Sequence, residues 1–222
     1  MASVASGCSN TLTPKLLVPI RSLGENHRTR IGAHLLALDE RDRYLRFGYA
    51  AQDAQILRYV EGLDFERDEI FGIYNRQVTL IAVAHLAMPA TPSHARCAEF
   101  GVSVSSKARG RGWGGRLFER AALSAANAGV ELMFIHALNE NAAMLRIARK
   151  AGAHVERDGP ESEAYLKLPA GSFDTQLAEM LGEQVAQLDY QIKVQAKQFW
   201  EFLASMQAIR RATEDAQRIE GS

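Results

Sequence analysis

The sequence predicts a protein of the α/β (α+β) class, with one mixed domain followed by a long helical extension. Strand-like and helical segments alternate through residues 15–169, and two strand-like runs flank the tripeptide NRQ at 75–77 as in a β-hairpin. Residues 170–222 contain no proline and predict a long helix. Residues 1–14 are small and polar and include glycine and proline, which predicts a flexible N-terminal tail.

The elements of the domain follow from local patterns. Runs of aliphatic, β-branched and aromatic residues predict six strands, at 16–23, 69–75, 79–88, 97–105, 131–138 and 163–169. Apolar residues spaced by three and four predict four helices, at 26–38, 52–63, 115–129 and 139–152. Gly129 and Gly152 stand where glycine ends a helix. The charge run DERDR at 39–43 predicts a solvated helix start.

Composition excludes several classes of protein. Lys plus Arg and Asp plus Glu both number 26, and a net charge of zero argues against nucleic acid as a partner. Cys8 and Cys97 form no disulfide framework, and the six histidines lack ligand spacing, so no metal is expected. No uncharged apolar run is long enough to span a membrane, so no membrane partner is expected. The first residues lack the pattern of a secretory signal, and we expect a cytoplasmic location.

The stretch KARGRGWGG at 107–115 predicts a phosphate-binding loop. Four glycines occupy six positions between a strand and a helix. Glycines at that place let the backbone approach a ligand and expose N–H groups at a helix N-terminus, where the helix dipole favours an anion. The interleaved arginines Arg109 and Arg111 point to the same conclusion.

Three kinds of phosphate-binding loop compete for this stretch. A Walker A loop requires Lys and then Ser or Thr after its last glycine, whereas Arg116 and Leu117 follow here. The spacing GxGxxG of a dinucleotide-binding fingerprint is present, but the residues SSKAR separate it from the strand. Residues 116–169 also leave no room for a doubly wound sheet, so this second interpretation ranks below the third.

The third interpretation rests on Arg109-x-x-Gly112-x-Gly114, five residues after the VSV of a strand. This pattern resembles the signature with which the GNAT superfamily of N-acetyltransferases cradles the pyrophosphate of coenzyme A. Residues 98–153 look like the core of that superfamily, from its fourth strand to its fourth helix. The segments LDERDRYLRF and AEF are similar to the GNAT domains of bacterial protein-lysine acetyltransferases. The resemblance covers residues 15–169.

The resemblance implies a fold and an activity. The implied fold of residues 15–169 is a mixed, mostly antiparallel central sheet flanked by helices, with residues 170–222 as a helical extension. The implied activity moves an acetyl group from acetyl-CoA to a primary amine, of a small molecule or a protein lysine, by direct attack on the thioester. Acetyl-CoA is the expected co-substrate, and no metal is expected. The alternative is a sensor or regulatory module that binds acyl-CoA with little turnover.

The resemblance also implies the coenzyme-binding residues. Backbone groups of the fourth strand should bind the pantetheine arm where that strand separates from the fifth, often at a bulge, and backbone N–H groups of the glycine loop should bind the pyrophosphate. Trp113 should pack beneath the loop, and each loop arginine either adds charge to the site or is solvated. The predicted residues are Val102, Val104, Arg109, Gly110, Arg111, Gly112, Trp113, Gly114, Gly115 and Asn141.

For catalysis, Glu99 matches the position where some members of the superfamily carry a carboxylate general base. We expect it to be partly buried, with a raised pKa, and to accept the proton of the ammonium group; the alternative is a carboxylate paired with an arginine. Ala148 stands where the superfamily often has a tyrosine that acts as general acid, and Ala153 replaces a phenylalanine. The thiolate must then take its proton from elsewhere. His85 and His136 are predicted to be hydrogen-bonded interior histidines.

The extension carries apolar residues at alternating steps of four and three, which is the pattern of a coiled-coil seam. The seam consists of Leu181, Val185, Leu188, Ile192, Gln195, Phe199, Phe202, Met206 and Ile209. An exposed seam of this length is unfavourable in water, so it must pack on its own domain, on a second copy or on another protein. We predict a homo-oligomer held through this helix, with docking on the same chain as the alternative.

Overall fold

A computed structural model describes residues 19–88, 97–159 and 161–169, together with 182, 183, 186, 187, 190, 191 and 194 of the extension. Its strands are β1 (Arg21–Ser22), β2 (Glu69–Tyr74), β3 (Leu80–Ala87), β4 (Cys97–Val104), β5 (Leu132–Leu138), β6 (His154–Asp158) and β7 (Glu161–Lys167). Its α-helices are α1 (Arg28–Leu36), α2 (Glu40–Phe47), α3 (Asp53–Glu61), α4 (Trp113–Asn127) and α5 (Ala142–Lys150). None of the helices within these ranges is long and apolar enough to cross a membrane.

The strands form one seven-stranded sheet in the order β1-β2-β3-β4-β5-β7-β6. Only β4 and β5 run parallel; the other neighbouring pairs are antiparallel. The predicted mixed, mostly antiparallel sheet is therefore confirmed. Sequence patterns missed β6 because its residues HVERD are mostly polar and lie at the edge of the sheet. The first strand was predicted at 16–23 but is only two residues long where it is described, and positions 16–18 lie outside the described residues.

Helices cover the sheet on both faces, and β4 contributes to both sides. On one face, Phe100 of β4 packs against Phe118 of α4, with ring centroids 5.1 Å apart, in a core that also includes residues of α5. On the other face, α1 and α3 pack over β2 and β3. Ser103 of β4 lies under α1, where its hydroxyl is 2.9 Å from Nε2 of His34. Since side chains alternate along a strand, Glu99 and Gly101 lie on this second face with Ser103.

The strands β4 and β5 pair over only three residues. Cys97, Ala98 and Glu99 pair with residues 132–134 of β5, and beyond them β5 pairs only with β7. A gap between the two central strands therefore opens after Glu99, as expected for the coenzyme arm. The expected bulge is not there, since the β3–β4 register runs without a shift from Ala82↔Val104 to Ala87↔Glu99.

The described part of the extension is helical and packs on the same chain. Glu183 accepts hydrogen bonds from the amide and the hydroxyl of Ser22, at 3.2 and 2.8 Å. The ring of Tyr190 lies edge-on to Tyr74, and the Arg21 guanidinium lies 3.9 Å from the ring centroid of Tyr190. Ala186 between them is 1% exposed. These contacts agree with the alternative of docking on the same chain. All nine seam positions lie outside the described residues.

Candidate active site

A cleft of about 1140 Å³ occupies the gap between the central strands. Its walls are β4 and the end of β5, and α2 lies across it on one face of the sheet. The start of α4 and one side of α5 form the opposite wall. The predicted residues come together here: Glu99, Val102, Val104, Arg109, Gly110, Arg111, Gly112, Trp113, Gly114, Gly115 and Asn141 all line it. A cleft of this volume is large enough for a ligand of cofactor size.

Backbone groups of β4 face the gap at alternate residues. The amide of Ser105 donates to the carbonyl of Ile81 at 2.9 Å, which makes this a hydrogen-bonded pair of the β3–β4 ladder. Because such pairs alternate in an antiparallel ladder, residues 99, 101 and 103 also turn their N–H and C=O groups towards β3. Val102 and Val104 therefore turn theirs into the gap. A chain lying in the gap can pair with them as an extra strand would.

The glycine loop leads into the N-terminus of α4. Gly112 occupies the N-cap position with φ +78° and makes no side-chain hydrogen bond to the first turn, because it has no side chain. Gly110 has φ +75°. A Cβ atom added at either position would meet no other atom within 4 Å, so glycine is needed for the backbone conformation and not for packing. The first N–H groups of α4 thus have no side-chain cap, as in an anion-binding helix N-terminus.

Positive side chains surround this loop. Arg109 forms an ion pair with the buried Asp42 of α2, and its Nε donates to the carbonyl of Val104 at 3.3 Å. This arginine is therefore held by the protein and is not a freely solvated loop residue. Arg111 is exposed and has no ion-pair partner in the described ranges, while Lys150 of α5 lines the facing wall. The end of the cleft at the loop is suited to a ligand with several negative charges.

Trp113 begins α4 and Asn141 caps α5, and both residues line the cleft. The indole of Trp113 is half-buried and packs against the core under the loop, as predicted. Its Nε1–H is buried without a hydrogen-bond partner among the described residues, so an acceptor on a ligand in the cleft would satisfy it. Asn141 caps α5 by accepting from the amide of Met144 at 3.1 Å, and its Nδ2 donates to the carbonyl of Leu45 at 3.3 Å. Asn141 thereby ties α2 to α5 across the cleft.

Glu99 lies at the last paired position of β4 and β5, at the point where the gap opens. Its side chain is exposed, so the expected partial burial is wrong. The reason is position: Glu99 is near the N-terminal end of β4, beyond the part of the strand that α1 covers. The structural alternative of a carboxylate paired with an arginine is not observed either, because no cation of the described residues lies within ion-pair distance of Glu99.

His85 of β3 and His136 of β5 have opposite environments. His85 is an interior residue as predicted, with Nδ1 2.7 Å from the hydroxyl of Tyr59 and Nε2 3.0 Å from Asp68. Burial lowers the pKa of the His85 imidazole, although the Asp68 carboxylate opposes this shift. His136, predicted to be interior, is not: its side chain is 54% exposed and lines the cleft. It lies on the face of β5 opposite the core residues Met133, Ile135 and Ala137, with Nδ1 3.7 Å from Glu163.

The expected position of a catalytic tyrosine does not face the cleft. Ala148 is fully buried in the core and does not line the cleft, where α5 instead presents Met144 and Ile147. No tyrosine lines the cleft in the part of the chain that the structure describes. A proton for a leaving thiolate must then come from water or from another group at the site.

Sequence patterns missed the contribution of α2. The run DERDR does begin a helix, since the side chain of Asp39 accepts from the amide of Asp42 at 2.8 Å. It is not a solvated start, because Asp42 is 6% exposed and pairs with Arg109. Arg46, one turn further along, lines the cleft and was not predicted as a site residue. One signal was present, namely Gly101 inside a strand, since glycine at such a position often marks a close approach of another group.

The sequence matches the acetyltransferase (GNAT) family over residues 33–153, which is more than half of the chain. Among curated proteins, no sequence matches this chain.

Solved structures share the fold. The GNAT domain of S. lividans PAT is 20% identical with a TM-score of 0.58, over 67% of this chain and 89% of that domain. An acetyltransferase of the GNAT family from Streptococcus pneumoniae is 10% identical with a TM-score of 0.55, over 68% and 98% of the two chains. The spermidine N-acetyltransferase of Vibrio cholerae in complex with CoA and spermine is 16% identical with a TM-score of 0.52, over 67% and 94%.

Proposed function

Because the chain belongs to the acetyltransferase (GNAT) family and is an acetyltransferase, we propose that it moves the acetyl group of acetyl-CoA to a primary amine by direct attack on the thioester. One observation carries this proposal: the gap that opens between β4 and β5 after Glu99 leads to the uncapped N-terminus of α4. An extended chain with a phosphate group at one end and a reactive group at the other fits this shape.

The residues of the cleft fit acetyl-CoA chemically. The backbone groups of Val102 and Val104 would pair with the amide-containing pantetheine arm. The N–H groups of 110–115 would hold the pyrophosphate at the positive end of the helix dipole. Arg111 and Lys150 add positive charge there, and the indole N–H of Trp113 offers a further donor. Acetyl-CoA would supply the activated carbonyl carbon.

The protein's own contribution to the reaction is small. The acceptor must lose a proton so that its nitrogen can form the N–C bond as the C–S bond breaks. Glu99 accepts that proton, directly or through a water molecule, and its exposed position lets it release the proton to solvent. Backbone N–H groups of β4 that face the gap stabilise the negative charge on the carbonyl oxygen. Water protonates the thiolate, since no tyrosine lines the described part of the cleft.

The same proposal includes the acceptor, which is an amine of a small molecule or a protein lysine. The Vibrio cholerae relative in complex with spermine is named as a spermidine N-acetyltransferase, which supports the small-molecule class. We include in the proposal the cytoplasmic location that the sequence predicts.

Calorimetry and thiol release test the proposal together. We expect acetyl-CoA to bind and NADH to give no heat, because the loop is too far from its strand for a dinucleotide-binding turn. We expect free thiol to appear when acetyl-CoA is mixed with an amine of a panel that includes amino acids, polyamines and lysine peptides. Binding of NADH alone would contradict the cofactor. Binding of acetyl-CoA without thiol release for any amine would favour the sensor module, to which the missing tyrosine gives some support.

We further propose that a second copy of the chain covers the apolar seam of the extension. Glu183 and Tyr190 engage the chain's own domain, and helical periodicity puts positions 185, 188 and 192 on the opposite side of such a helix. Each large apolar side chain withdrawn from water contributes about 1.5–3 kcal/mol. A symmetric pair of extensions would bury both seams without a further partner.

Light scattering on the full chain checks the assembly. We expect a homo-oligomer, and we expect the double variant Leu188→Glu, Ile192→Glu to be a folded monomer, because charges on the seam oppose its burial. This variant keeps Glu183 and Tyr190, so docking of the extension on its own domain is preserved. A monomeric full chain of native sequence at micromolar concentration would contradict self-association.

A further inference from the structure

Given the acetyl transfer proposed above, we propose that the acceptor is a free amino acid, or an amine with a carboxylate one or two carbons away. In this arrangement Arg46 binds the carboxylate while Glu99 receives the amine. Both side chains line the cleft and lie on the same face of the sheet. Nothing in the sequence comparison assigns a role to Arg46.

The guanidinium of Arg46 lies flat against β4 beside Glu99. A Cβ atom added at Gly101 would be 2.7 Å from Cζ and Nη2 of Arg46. Any side chain at position 101 would therefore occupy the place of the guanidinium. Glycine in the interior of a strand weakens the strand, so its presence here needs a reason. The close approach of Arg46 to the strand supplies one.

A directed series of hydrogen bonds holds this guanidinium. Asp68 can only accept, so Nε2–H of His85 donates to it at 3.0 Å and leaves Nδ1 as the acceptor of the neutral ring. The hydroxyl of Tyr59 then donates to Nδ1 at 2.7 Å, and its oxygen accepts from Nη2 of Arg46 at 2.8 Å. The rings of Tyr59 and Phe47 also lie within 5.4 Å of Cζ. The side chain of Arg46 is thus pre-positioned, which is typical of a binding group.

Arg46 nevertheless has no negative partner. No carboxylate of the described residues lies within ion-pair distance of it, and its one hydrogen bond uses a single N–H of five. It is half-buried, and a charge withdrawn from water without a partner is costly. A planar guanidinium with free donors is suited to binding a carboxylate through two hydrogen bonds. Within the site, an anion on the ligand would be the missing partner.

The spacing of the two charges fits an amino acid. Glu99 and Gly101 are two residues apart on one strand face, which separates their Cα atoms by roughly 6–7 Å. Arg46 stands over Gly101, and Glu99 is exposed at the mouth of the gap. In an α-amino acid the ammonium group and the carboxylate are attached to the same carbon, and with a hydrogen bond of about 2.8 Å at each end they span roughly 8 Å. A carboxylate at position 99 and a guanidinium over position 101 can bridge such a distance. A protein lysine or a polyamine brings no carboxylate to this position.

A second role for Arg46 predicts different kinetics. If its guanidinium stabilised the carbonyl oxygen of the thioester, its loss would slow the reaction with every amine alike. If it binds the acceptor, its loss should affect only acceptors that carry a carboxylate. Thiol release should therefore be measured with the twenty amino acids. For the best of them, the matched carboxamide and the decarboxylated amine complete the series.

We expect the wild-type chain to prefer the amino acid over its carboxamide by about 10²-fold in kcat/KM, mainly through KM. Arg46→Met should reduce this preference to less than about threefold, and Arg46→Lys should restore part of it. Gly101→Ala should weaken the preference by displacing the guanidinium without removing it. Arg58→Met on α3, an exposed arginine outside the cleft, is the matched control and should keep the wild-type preference.

Three outcomes overturn the inference. The first is a wild-type chain that acetylates the carboxamide or the plain amine as well as the amino acid, which leaves acetyl transfer itself intact. The second is an Arg46→Met variant that loses rate equally for all three acceptors, which would assign the guanidinium to the carbonyl oxygen. The third is the absence of thiol release with any amine although acetyl-CoA binds, in which case the proposed function fails as well. Circular dichroism of each variant confirms that it is folded.

Discussion

A Gly112→Asp variant should lose measurable binding of acetyl-CoA while keeping its fold. Gly112 is the N-cap of α4, and the site of an added side chain is open space beside the first N–H groups of the helix. The carboxylate of an aspartate there would itself accept hydrogen bonds from those N–H groups. It would also place a negative charge where the pyrophosphate is expected. Each hydrogen bond to a charged group contributes about 1.5–3 kcal/mol. Losing two of them weakens binding by more than about 100-fold.

Gly112→Asn is the matched control for this experiment. Asparagine has nearly the same shape and tolerates the left-handed conformation at φ +78° about as well as aspartate, but it is uncharged. Calorimetric titration of both variants with acetyl-CoA therefore separates the effect of charge from the effect of backbone strain. Equal losses in the two variants would contradict an anion site at this helix and would assign the effect to the loop conformation. The unfolding temperature of the aspartate variant should not fall below that of the asparagine variant, since a negative charge stabilises a helix N-terminus.

A Glu99→Gln variant should lower kcat by roughly 10²–10⁴-fold with little change in the affinity for acetyl-CoA. Glutamine keeps the shape of the side chain and loses its ability to accept a proton from the acceptor amine. Affinity should be retained because the groups expected to hold the coenzyme are backbone groups of β4 and of the glycine loop, which the substitution leaves unchanged. Thiol release measured with the best acceptor, together with calorimetry, checks both parts.

Two further variants make the result on Glu99 decisive. Glu61→Gln at the end of α3 removes an exposed carboxylate outside the cleft and should be as active as the wild-type chain. His136→Asn removes a second exposed proton acceptor that lines the cleft, where the exposed carboxylate of Glu119 is a third. If Glu99→Gln is fully active while His136→Asn is slow, the general base is His136. If neither variant is slow, Glu119 or solvent accepts the proton.

Much of the candidate site could be predicted from the sequence because it depends on short-range geometry. The glycines at 110 and 112 are needed for positive φ angles, which few other residues adopt, so the loop is visible in the residue types themselves. The residues that line a strand and the helix after it follow from periodicity. For this reason the predicted site residues between Glu99 and Gly115 were expected to lie together, and each of them lines the one cleft.

The predictions that depended on burial and partners were less accurate. The alternation of side chains along a strand assigns Glu99 and His136 to one face of the sheet. Whether a helix covers a side chain on that face depends on where α1 and α2 end in space. His136 is therefore 54% exposed, whereas the side chain of His85, on an equally apolar strand, is only 13% exposed. The strand β6 was missed because most of its residues are polar. It lies at the edge of the sheet and is held by pairing with β7, so it lacks the apolar pattern by which buried strands are recognised.

What the sequence determined by itself is the family, the order of the elements and the position of the glycine loop, since these depend on residue types and spacings along the chain. Tertiary structure alone brought Asp42 to Arg109 and the guanidinium of Arg46 to Gly101, because α2 crosses the gap between strands that are distant in sequence. It also joined Glu183 to Ser22 of β1 and Tyr190 to Arg30 of α1, residues about 160 positions apart in the sequence. Such contacts depend on which surfaces meet when the elements pack, and local pattern carries no information about that.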